Sequence, residues 1–302
     1  MKKNAAIIVG FRPDVDVLQK LTASLLEQVD TLIVVDNGGA LAALSAMGIS
    51  DQVAYIDMGG NAGVGAALNA GFAKAISKNC EYVATFDQDS CASPTLIREL
   101  ENAMCHARTK DPKCIAVGPA FHDRREGEIN MSPFYRTVAN TITPTFKSDD
   151  SSGLVETDLL ITSGMYIKSS GWKMGLTYDE SLFVDFTDTE WCFRARDKGY
   201  TTYGCTHIKM GHALSDSPPI KWGKLTFYRY TPLRRYFYFR NTVAILKKSY
   251  TPTAWKRRLF LGLLIRFVAN IVIDRDRLQS GRMMIKGLYH GTTNKLGPAT
   301  KI

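Results

Sequence analysis

One segment decides the fold of this chain: Tyr82-Val83-Ala84-Thr85-Phe86-Asp87-Gln88-Asp89. Its first five residues predict a buried strand, and two carboxylates one residue apart follow. Because side chains alternate along a strand, Asp87 and Asp89 are expected to point the same way at the rim of a sheet. Carboxylate oxygens suit Mg²⁺ or Mn²⁺, which keep open positions for substrate phosphates. Acidic pairs also occur in plain solvated turns, so the neighbouring segments decide the interpretation.

Four more short apolar runs predict further strands. They cover residues 5–10, 31–37, 52–56 and 114–118. Helix-period segments lie between the strands: Pro13 is expected at the first position of one helix, and Ser93-Pro94 is expected to open another. A third helix is expected from Gly63 to Ser77. Strands buried on both faces that alternate with helices predict an α/β fold with a mostly parallel central sheet.

Three polar segments lie at the carboxyl ends of predicted strands. They are Gly10-Phe11-Arg12, Asp36-Asn37 and Asp87-Gln88-Asp89. Because ligands of parallel α/β sheets bind beyond the carboxyl ends of the strands, these segments should share one crevice. Asp36 leaves two interpretations open, since Asp36-Asn37-Gly38-Gly39 is either a plain turn or supplies a carboxylate for the base or ribose of a nucleotide.

A glycine-rich loop, 59–65, precedes the third predicted helix. A dinucleotide-binding fold is not favoured, because the glycine loop of that fold follows its first strand and this one follows the third. Two interpretations remain. The loop either lets a substrate approach the backbone closely, or it simply forms the start of a helix.

Several motifs together resemble glycosyltransferase family 2, which has the GT-A (nucleotide-diphospho-sugar transferase) fold. They are the opening strand, Val35-Asp36-Asn37, residues 61–69, Asp87-Gln88-Asp89, Thr162-Ser163-Gly164-Met165-Tyr166, and residues 183–195 closed by Lys198-Gly199-Tyr200. The resemblance covers about residues 4 to 215. Phe86-Asp87-Gln88-Asp89-Ser90 with Glu190-Trp191-Cys192 is most similar to the rhamnosyltransferases of bacterial surface polysaccharides.

The resemblance implies a divalent cation, Mg²⁺ or Mn²⁺, held by Asp89, with Asp87 near the ribose or the ion. Such an ion neutralises the leaving diphosphate as a Lewis acid and template. The residues expected on the donor side are Phe11, Arg12, Asp36, Asn37, Asn61, Asn69, Asp87 and Gln88. Those expected on the acceptor side are Ser163, Gly164, Glu190 and Trp191.

Asp188 falls on the position of the catalytic base in the family motif. It opens a predicted helix, whose N-terminus favours an ionised carboxylate. Locally, Thr187-Asp188-Thr189-Glu190 is also an ordinary acidic helix start, and only the motif match favours the catalytic role. Asp185, three residues earlier, is the alternative base.

His212 is expected to complete the metal shell. In related family members a histidine takes this role after a segment like Arg194-Ala195 to Gly199-Tyr200. Neutral imidazole is a suitable ligand for manganese, although a lone histidine is more often an ordinary surface or core residue. His207 is the alternative.

The cysteines and the N-terminus predict a cytoplasmic protein. The six cysteines form no C-x-x-C pair, which suits buried free thiols in a reducing compartment better than disulfides or zinc. Lys2-Lys3 precede only a short apolar run that fits the first strand, so no signal peptide is expected.

Positive charge is concentrated in the C-terminal region, 216–302, which follows the predicted catalytic domain, 1–215. From Ile220 onward there are 18 Lys/Arg and two Asp/Glu, although the whole chain has 38 and 29. The region is predicted to be mainly helical, and its apolar stretch is too short for the roughly 20 residues that span a bilayer. Trp255, Lys256, Arg257 and Arg258 are therefore expected to hold a helix against an anionic membrane surface. Alternatively, the helices pack on the catalytic domain; no nucleic-acid motif is present.

The resemblance thus implies an inverting, metal-dependent transferase. It would move L-rhamnose from dTDP-L-rhamnose to a lipid-linked oligosaccharide, in O-antigen or other surface polysaccharide synthesis at the inner face of the cytoplasmic membrane. Other hexosyltransferases of the family and a sugar nucleotidyltransferase are alternatives. A non-enzymatic membrane-docking protein is a third, which intact Asp87, Asp89 and Asp188 disfavour.

Overall fold

The computed structural model describes residues 3–123, 131–212, 217–222, 225–274 and 276–299. Its strands are β1 (Asn4–Gly10), β2 (Thr31–Asp36), β3 (Ala54–Asp57), β4 (Tyr82–Asp87), β5 (Cys114–Asp123), β6 (Phe134–Val138), β7 (Thr141–Thr145), β8 (Leu154–Thr157), β9 (Met165–Lys168), β10 (Thr201–His212), β11 (Ser217–Trp222) and β12 (Leu225–Arg229). Its helices are α1 (Val15–Leu26), α2 (Ala40–Ala46), α3 (Val64–Ser77), α4 (Leu96–Lys110), α5 (Ser169–Lys173), α6 (Thr187–Asp197), α7 (Pro232–Lys247), α8 (Thr253–Ile273) and α9 (Arg277–Thr292).

The central sheet has eight strands in the order β3-β2-β1-β4-β9-β5-β10-β8. β3, β2, β1 and β4 run parallel to one another, and β5 runs parallel to β10. β9 and β8 are the antiparallel members. The expected α/β fold with a mostly parallel sheet is therefore confirmed. The parallel strands bring the ends of β1, β2 and β4 to one edge, where Gly10 pairs with Asp36 and Val9 with Asp87.

Helices cover both faces of the sheet, as the apolar strands predict. Alternate residues of β1 enter different cores: Ala6 and Ile8 join the core beneath α1, α2 and α4, whereas Ala5 and Ile7 join the core beneath α3. This two-sided burial explains why the strand is continuously apolar instead of alternating.

Two expected helix starts are wrong. α1 begins at Val15, because the Asp14 side chain accepts hydrogen bonds from the backbone N–H groups of Asp16 and Val17 and so takes the cap position, which leaves Pro13 outside the helix. α4 begins at Leu96, two residues beyond Ser93-Pro94, and its cap residue Thr95 makes no capping bond with its side chain.

The C-terminal helices pack on the catalytic part of the chain, which was the alternative to membrane contact. Phe193 of α6 shares a core with Ala244 and Ile245 of α7 and with Trp255 of α8. Of the helices in the described part of the chain, none combines the length and apolarity needed to cross a bilayer.

The cysteines are all free thiols, but only four of the six are buried. Cys91 and Cys105 are exposed, contrary to the expectation of buried thiols.

Candidate active site

A cleft of about 530 Å³ opens at the carboxyl edge of the sheet. One wall consists of Val9, Phe11, Asn37, Asn61, Gly63, Val64, Asp87, Gln88 and Asp89. The other consists of Phe183, Val184, Thr231, Leu233, Arg234 and Phe237. The expected crevice is therefore present, and it gathers residues that are far apart in the sequence.

Asp87 is held in place from within the protein. The Ser163 hydroxyl donates to Asp87 Oδ2 at 2.6 Å, and the Ser90 hydroxyl donates to Ser163 Oγ at 2.9 Å. Asp87 ends β4, whereas Asp89 lies in the turn that follows, so strand alternation does not determine the direction of Asp89. Both residues nevertheless line the cleft.

The donor set of this acidic turn fits a divalent cation that is shared with a substrate. Among the residues whose side chains are described, no cluster of three or more His, Cys, Asp or Glu could hold a metal alone. Two carboxylates on an open cleft suit an ion such as Mg²⁺, whose other positions are filled by water and substrate phosphates. Asp87 and Asp89 would hold such an ion.

The end of β10 lies beside the acidic turn. The Cys91 N–H donates to the Gly211 carbonyl at 3.2 Å. Cys91 is two residues after Asp89, and Gly211 directly precedes His212, so the backbone at His212 lies close to the acidic turn. The His212 side chain lies outside the described residues, so its role as a ligand stays a prediction. His207 is exposed and lies against Gly153, in the turn before β8, and it is not part of the cleft lining.

Two predicted donor-side residues shape the cleft wall with their side chains. The Asn37 amide donates to the Gly63 carbonyl at 3.1 Å and accepts from Ala62 N–H at 3.0 Å. The Gln88 amide pairs with both backbone groups of Phe11, at 2.6 and 2.9 Å. These bonds fix the loops on which Phe11 and Asn61 line the cleft.

Asp36 lies outside the cleft lining, contrary to the sequence prediction. Its carboxylate accepts from the backbone N–H groups of Gly38, Ala40 and Leu41 and from the Tyr55 hydroxyl. Burial alone would raise the pKa of Asp36, but these hydrogen bonds outweigh it and hold the pKa below its ordinary value. Of the two interpretations, a plain turn that Asp36 stabilises therefore fits better than a carboxylate that binds a nucleotide.

Asn69 and Arg12 are also absent from the cleft lining. The Asn69 amide pairs with the backbone of Tyr178 and donates to Glu180 at 2.8 Å, because α3 turns this residue toward that loop. Arg12 is exposed, with its guanidinium 5.3 Å from the ring centroid of Phe11.

Asp188 lies in the first turn of α6, next to the Thr162 loop. The Thr189 N–H donates to Asp188 Oδ1 at 2.6 Å. Burial, together with the negative charge of Asp87, raises the pKa of Asp188 to about 6, against the effect of backbone hydrogen bonds from Thr189 and Thr162. Asp188 is not among the lining residues, but the charge of Asp87 is near enough to contribute to its raised pKa. A carboxylate with this pKa suits a general base near neutral pH.

The raised pKa makes the Asp188 charge costly for folding at neutral pH. The folded state holds the proton up to about pH 6, whereas an unfolded chain releases it near a pKa of about 4, so stability falls as pH rises through this window. We expect Asp188→Asn to raise the free energy of unfolding on the order of 2 kcal/mol at pH 7 and to have no such effect at pH 4. Urea unfolding at both pH values, with EDTA present, measures this. An equal gain at both would contradict it.

Asp185, the alternative base, forms an ion pair with α7. Arg234 donates to Asp185 Oδ1 from Nε at 3.3 Å and from Nη2 at 3.2 Å. The guanidinium therefore engages the Asp185 carboxylate, which makes Asp185 less available to an acceptor hydroxyl than Asp188.

The four residues predicted on the acceptor side are buried. Glu190, 1% exposed, accepts from Arg194 Nε at 2.7 Å, and the Trp191 indole donates to the Leu176 carbonyl at 2.7 Å. At 100° per residue, Glu190 points away from Asp188 on the helix, toward the core. Ser163 holds Asp87, and Gly164 packs against Pro119, so direct contact of these residues with an acceptor is not supported.

The segment 182–186 forms a strained part of the cleft wall. Phe183, Asp185 and Phe186 have φ values of 66°, 59° and 67°. Val184 N–H donates to the Leu182 carbonyl at 2.8 Å, closing a three-residue turn around Phe183. Such conformations cost about 1–3 kcal/mol each and persist where the surroundings impose them.

Gly63 permits the close approach of this segment to α3. A Cβ on Gly63 would lie 2.7 Å from the Phe183 carbonyl oxygen, and the glycine has a φ of +92°. Val64 N–H donates to the same oxygen at 2.7 Å.

The part of the second wall that α7 supplies was not predicted. Thr231, Leu233, Arg234 and Phe237 come from the start of α7, in the region predicted to bind membrane. Thr231-Pro232 is a cap followed by proline, which does predict a helix start there. Nothing in the local sequence shows that this start faces the cleft.

A mostly parallel α/β sheet with the acidic turn of Asp87 and Asp89 in a cleft at its carboxyl edge is the arrangement expected of a GT-A type sugar transferase. The chain belongs to glycosyltransferase family 2, because residues 6–170 match the family profile described as Glycosyl transferase family 2. It is 27% identical to dTDP-rhamnosyl transferase RfbF of Shigella flexneri over 274 residues, which cover 91% of this chain and 90% of that protein.

Solved structures share the fold. S. aureus TarS 1-349 in complex with UDP-GlcNAc has a TM-score of 0.58 and 12% identity, and the match covers 96% of this chain and 80% of that one. A longer S. aureus TarS structure has a TM-score of 0.56 and 14% identity, with 96% of this chain matched to 49% of that one. This chain therefore spans about half of the longer TarS.

Proposed function

We propose that this glycosyltransferase inverts the anomeric centre and transfers L-rhamnose from dTDP-L-rhamnose to a lipid-linked oligosaccharide. The main support is the cleft at the carboxyl edge of the sheet, which holds the acidic turn of Asp87 and Asp89, together with Asp188 in the first turn of α6. The rhamnosyltransferase relative supports the choice of donor. Synthesis of O-antigen or another surface polysaccharide would use this reaction, at the inner face of the cytoplasmic membrane.

The reaction is a single displacement. Asp188 takes the proton of the acceptor hydroxyl, whose oxygen bonds to the anomeric carbon as the bond from that carbon to the diphosphate oxygen breaks. Attack opposite to the leaving group inverts the centre. A divalent cation held by Asp87 and Asp89 supplies Lewis-acid stabilisation of the diphosphate when bound. Arg234 is a cationic residue of the opposite wall and can contact the same diphosphate.

Another hexosyltransferase activity is the second candidate. The structural neighbour TarS was crystallised with UDP-GlcNAc, so this fold also accepts a different nucleotide sugar. Membership of the family decides against the sugar nucleotidyltransferase and the non-enzymatic docking protein.

A thermal-shift screen tests the donor. Nucleoside diphosphates and nucleotide sugars are compared with and without Mn²⁺, since a ligand that binds the native state raises the melting temperature. We expect dTDP and dTDP-L-rhamnose to give the largest Mn²⁺-dependent shifts. A larger shift with UDP-GlcNAc or another donor would replace rhamnose with that sugar.

Of the four residues predicted to contact a membrane, Trp255 is excluded by its burial, and the apolar surface that fits a membrane lies further along α8. Trp255 is 4% exposed, packs on Phe193 and donates to Asp158, so it cannot enter a bilayer. Arg258 lies over the rings of Tyr135 and Trp255. The exposed stripe consists of Phe260, Leu261, Leu264, Ile265, Val268 and Val272, each at least 50% exposed.

The stripe and its flanking charge match an anionic interface. The spacing of the stripe residues places them on one face of α8, while Leu263 faces the core. Arg257 and Arg258 are exposed at its N-terminal end. Apolar side chains beside basic ones favour a helix lying in the surface of an anionic membrane, where a lipid-linked acceptor would be.

We expect the protein to co-sediment with vesicles containing anionic lipid, and less so at high salt, because each basic residue near the surface contributes about 1 kcal/mol. Leu264→Ser with Ile265→Ser should abolish this binding. Transfer to a short soluble acceptor should survive, since the stripe is not part of the cleft. Vesicle binding that is unchanged both at high salt and in the double variant would exclude the stripe as the docking surface. Self-association in the absence of vesicles, lost in the double variant, would identify a second copy as the occupant instead.

A further inference from the structure

Two polar residues lie side by side in the interior of α7. Arg240 and Asn241 are each 0% exposed. Burying a guanidinium or an amide is costly unless its N–H groups find acceptors, so the partners of this pair show what it does.

Asn241 contacts the backbone of the segment 182–186. Its Nδ2 donates to the carbonyl oxygens of Leu182, Val184 and Asp185 at 2.9, 2.6 and 3.0 Å. One side-chain amide therefore contacts three carbonyl groups within four consecutive residues.

Arg240 adds a second attachment and orients Asn241. Its Nη2 donates to the Leu182 carbonyl at 2.8 Å and its Nη1 to the Gly297 carbonyl at 2.5 Å. Its Nε donates to Asn241 Oδ1 at 2.9 Å, which turns the Asn241 amide nitrogen toward the segment. The guanidinium also lies 4.8 Å from the ring centroid of Phe237.

The segment needs these donors because three of its non-glycine residues have left-handed backbones. The carbonyl groups of Leu182, Val184 and Asp185 need hydrogen-bond donors, and the Asn241 amide supplies them. The Phe186 carbonyl at its end accepts a helical hydrogen bond from Glu190 N–H at 2.9 Å. The path of the segment thus sets where α6 begins, and with it the direction of Asp188.

We propose that Arg240 and Asn241 are positioning residues for the base Asp188 and act through the backbone of the segment 182–186. The proposal rests on the proposed function, because it takes Asp188 as the group that accepts the proton of the acceptor hydroxyl. A base must lie within hydrogen-bonding reach of that hydroxyl, so a small displacement lowers turnover strongly. Phe11 and Gln88, on the nucleotide side of the cleft, are hydrogen-bonded to each other and not to the segment. We therefore expect dTDP affinity to depend less on the segment than kcat does.

Asn241→Asp tests the proposal without changing the size of the side chain. The variant keeps the oxygen that accepts from Arg240 but replaces the donating amide with an oxygen that faces three carbonyls. We expect kcat for transfer to fall about 100-fold, while the Kd for dTDP, measured by calorimetry, stays near the wild-type value. A folded variant with wild-type kcat would overturn the proposal, as would an equal loss of kcat and of dTDP affinity.

Thr242→Val is the matched control. Thr242 is equally buried on the same helix, but its hydroxyl donates at 2.7 Å to the Tyr238 carbonyl within α7. This variant should keep wild-type kcat. Arg240→Lys serves if Asn241→Asp does not fold, since lysine keeps the charge but loses the planar fork. It should also lower kcat more than dTDP affinity, and wild-type kcat in this variant would overturn the proposal.

Hydrogen exchange distinguishes failure of this proposal from failure of the proposed function, because it needs no substrate. The amides of Val184 and Glu190 should exchange faster in Asn241→Asp than in the wild type and in Thr242→Val. Unchanged exchange in a folded variant overturns the positioning role. If exchange is faster in Asn241→Asp as expected, but the wild type transfers no rhamnose from dTDP-L-rhamnose, only the donor assignment is overturned. The kcat values of the variants are then measured with the donor that the thermal-shift screen identifies.

Discussion

Replacing Asp188 by Asn should lower kcat by about 10²–10⁴, the range expected for loss of a general base. The substitution keeps the size of the side chain and its capacity to accept from Thr189, but it removes the basic carboxylate. Donor affinity should barely change, because Asp188 is not part of the cleft lining. Steady-state transfer rates together with dTDP binding by calorimetry measure the two effects separately.

Asp197→Asn is the control for Asp188. It makes the same chemical change at an exposed position at the end of the same helix, and it should leave kcat unchanged. Asp185→Asn tests the alternative base. An equally large loss at Asp185 alone, or loss of dTDP binding in Asp188→Asn, would move the catalytic role to another carboxylate.

Replacing Asp89 by Ala should abolish transfer and the Mn²⁺-dependent part of dTDP binding. Asp89 lies in the turn after β4 and lines the cleft, so its loss removes a cation ligand and little packing. The melting temperature without ligand should therefore stay near that of the wild type. Calorimetric titration of dTDP with Mn²⁺ or EDTA, beside the transfer assay, gives both quantities.

Asp57→Ala is the control for Asp89. Asp57 ends β3 at the same edge of the sheet, but it is exposed and is not part of the cleft lining. It should keep metal-dependent binding and transfer. Normal metal-dependent activity in Asp89→Ala would make the assignment of the metal site wrong. His212→Ala should raise the Mn²⁺ concentration required for activity if that imidazole is the third ligand.

The sheet and its crevice could be predicted because local patterns specify them. The continuously apolar composition of strands such as 5–10 and 82–86 indicates that both of their faces are buried. Parallel strands also bring their carboxyl ends to the same edge of the sheet. Phe11, Asn37 and Asp89 therefore had to meet at one edge. Helix starts were predicted less accurately, because more than one neighbouring residue can begin a helix. Asp14 caps α1, although Pro13 was expected at its first position.

Side-chain roles were harder to predict than positions. Asp36 and Asn69 occur in the family motifs, but each has its polar atoms engaged by neighbouring loops. The direction of a side chain near a strand end or on a helix depends on which loop packs beside it. Those loops come from distant parts of the chain, so a local sequence pattern cannot predict which loop packs beside a given residue.

The sequence by itself determined the α/β sheet, the acidic turn of Asp87 and Asp89, and the position of Asp188 at a helix start. Only the tertiary structure showed that α7 forms the second wall of the cleft and that Asn241 holds the segment before Asp188. The reason is physical. Strand burial and helix periodicity are encoded within about ten neighbouring residues, whereas the contact of Asn241 with Val184 joins residues that only the packing of the whole chain brings together.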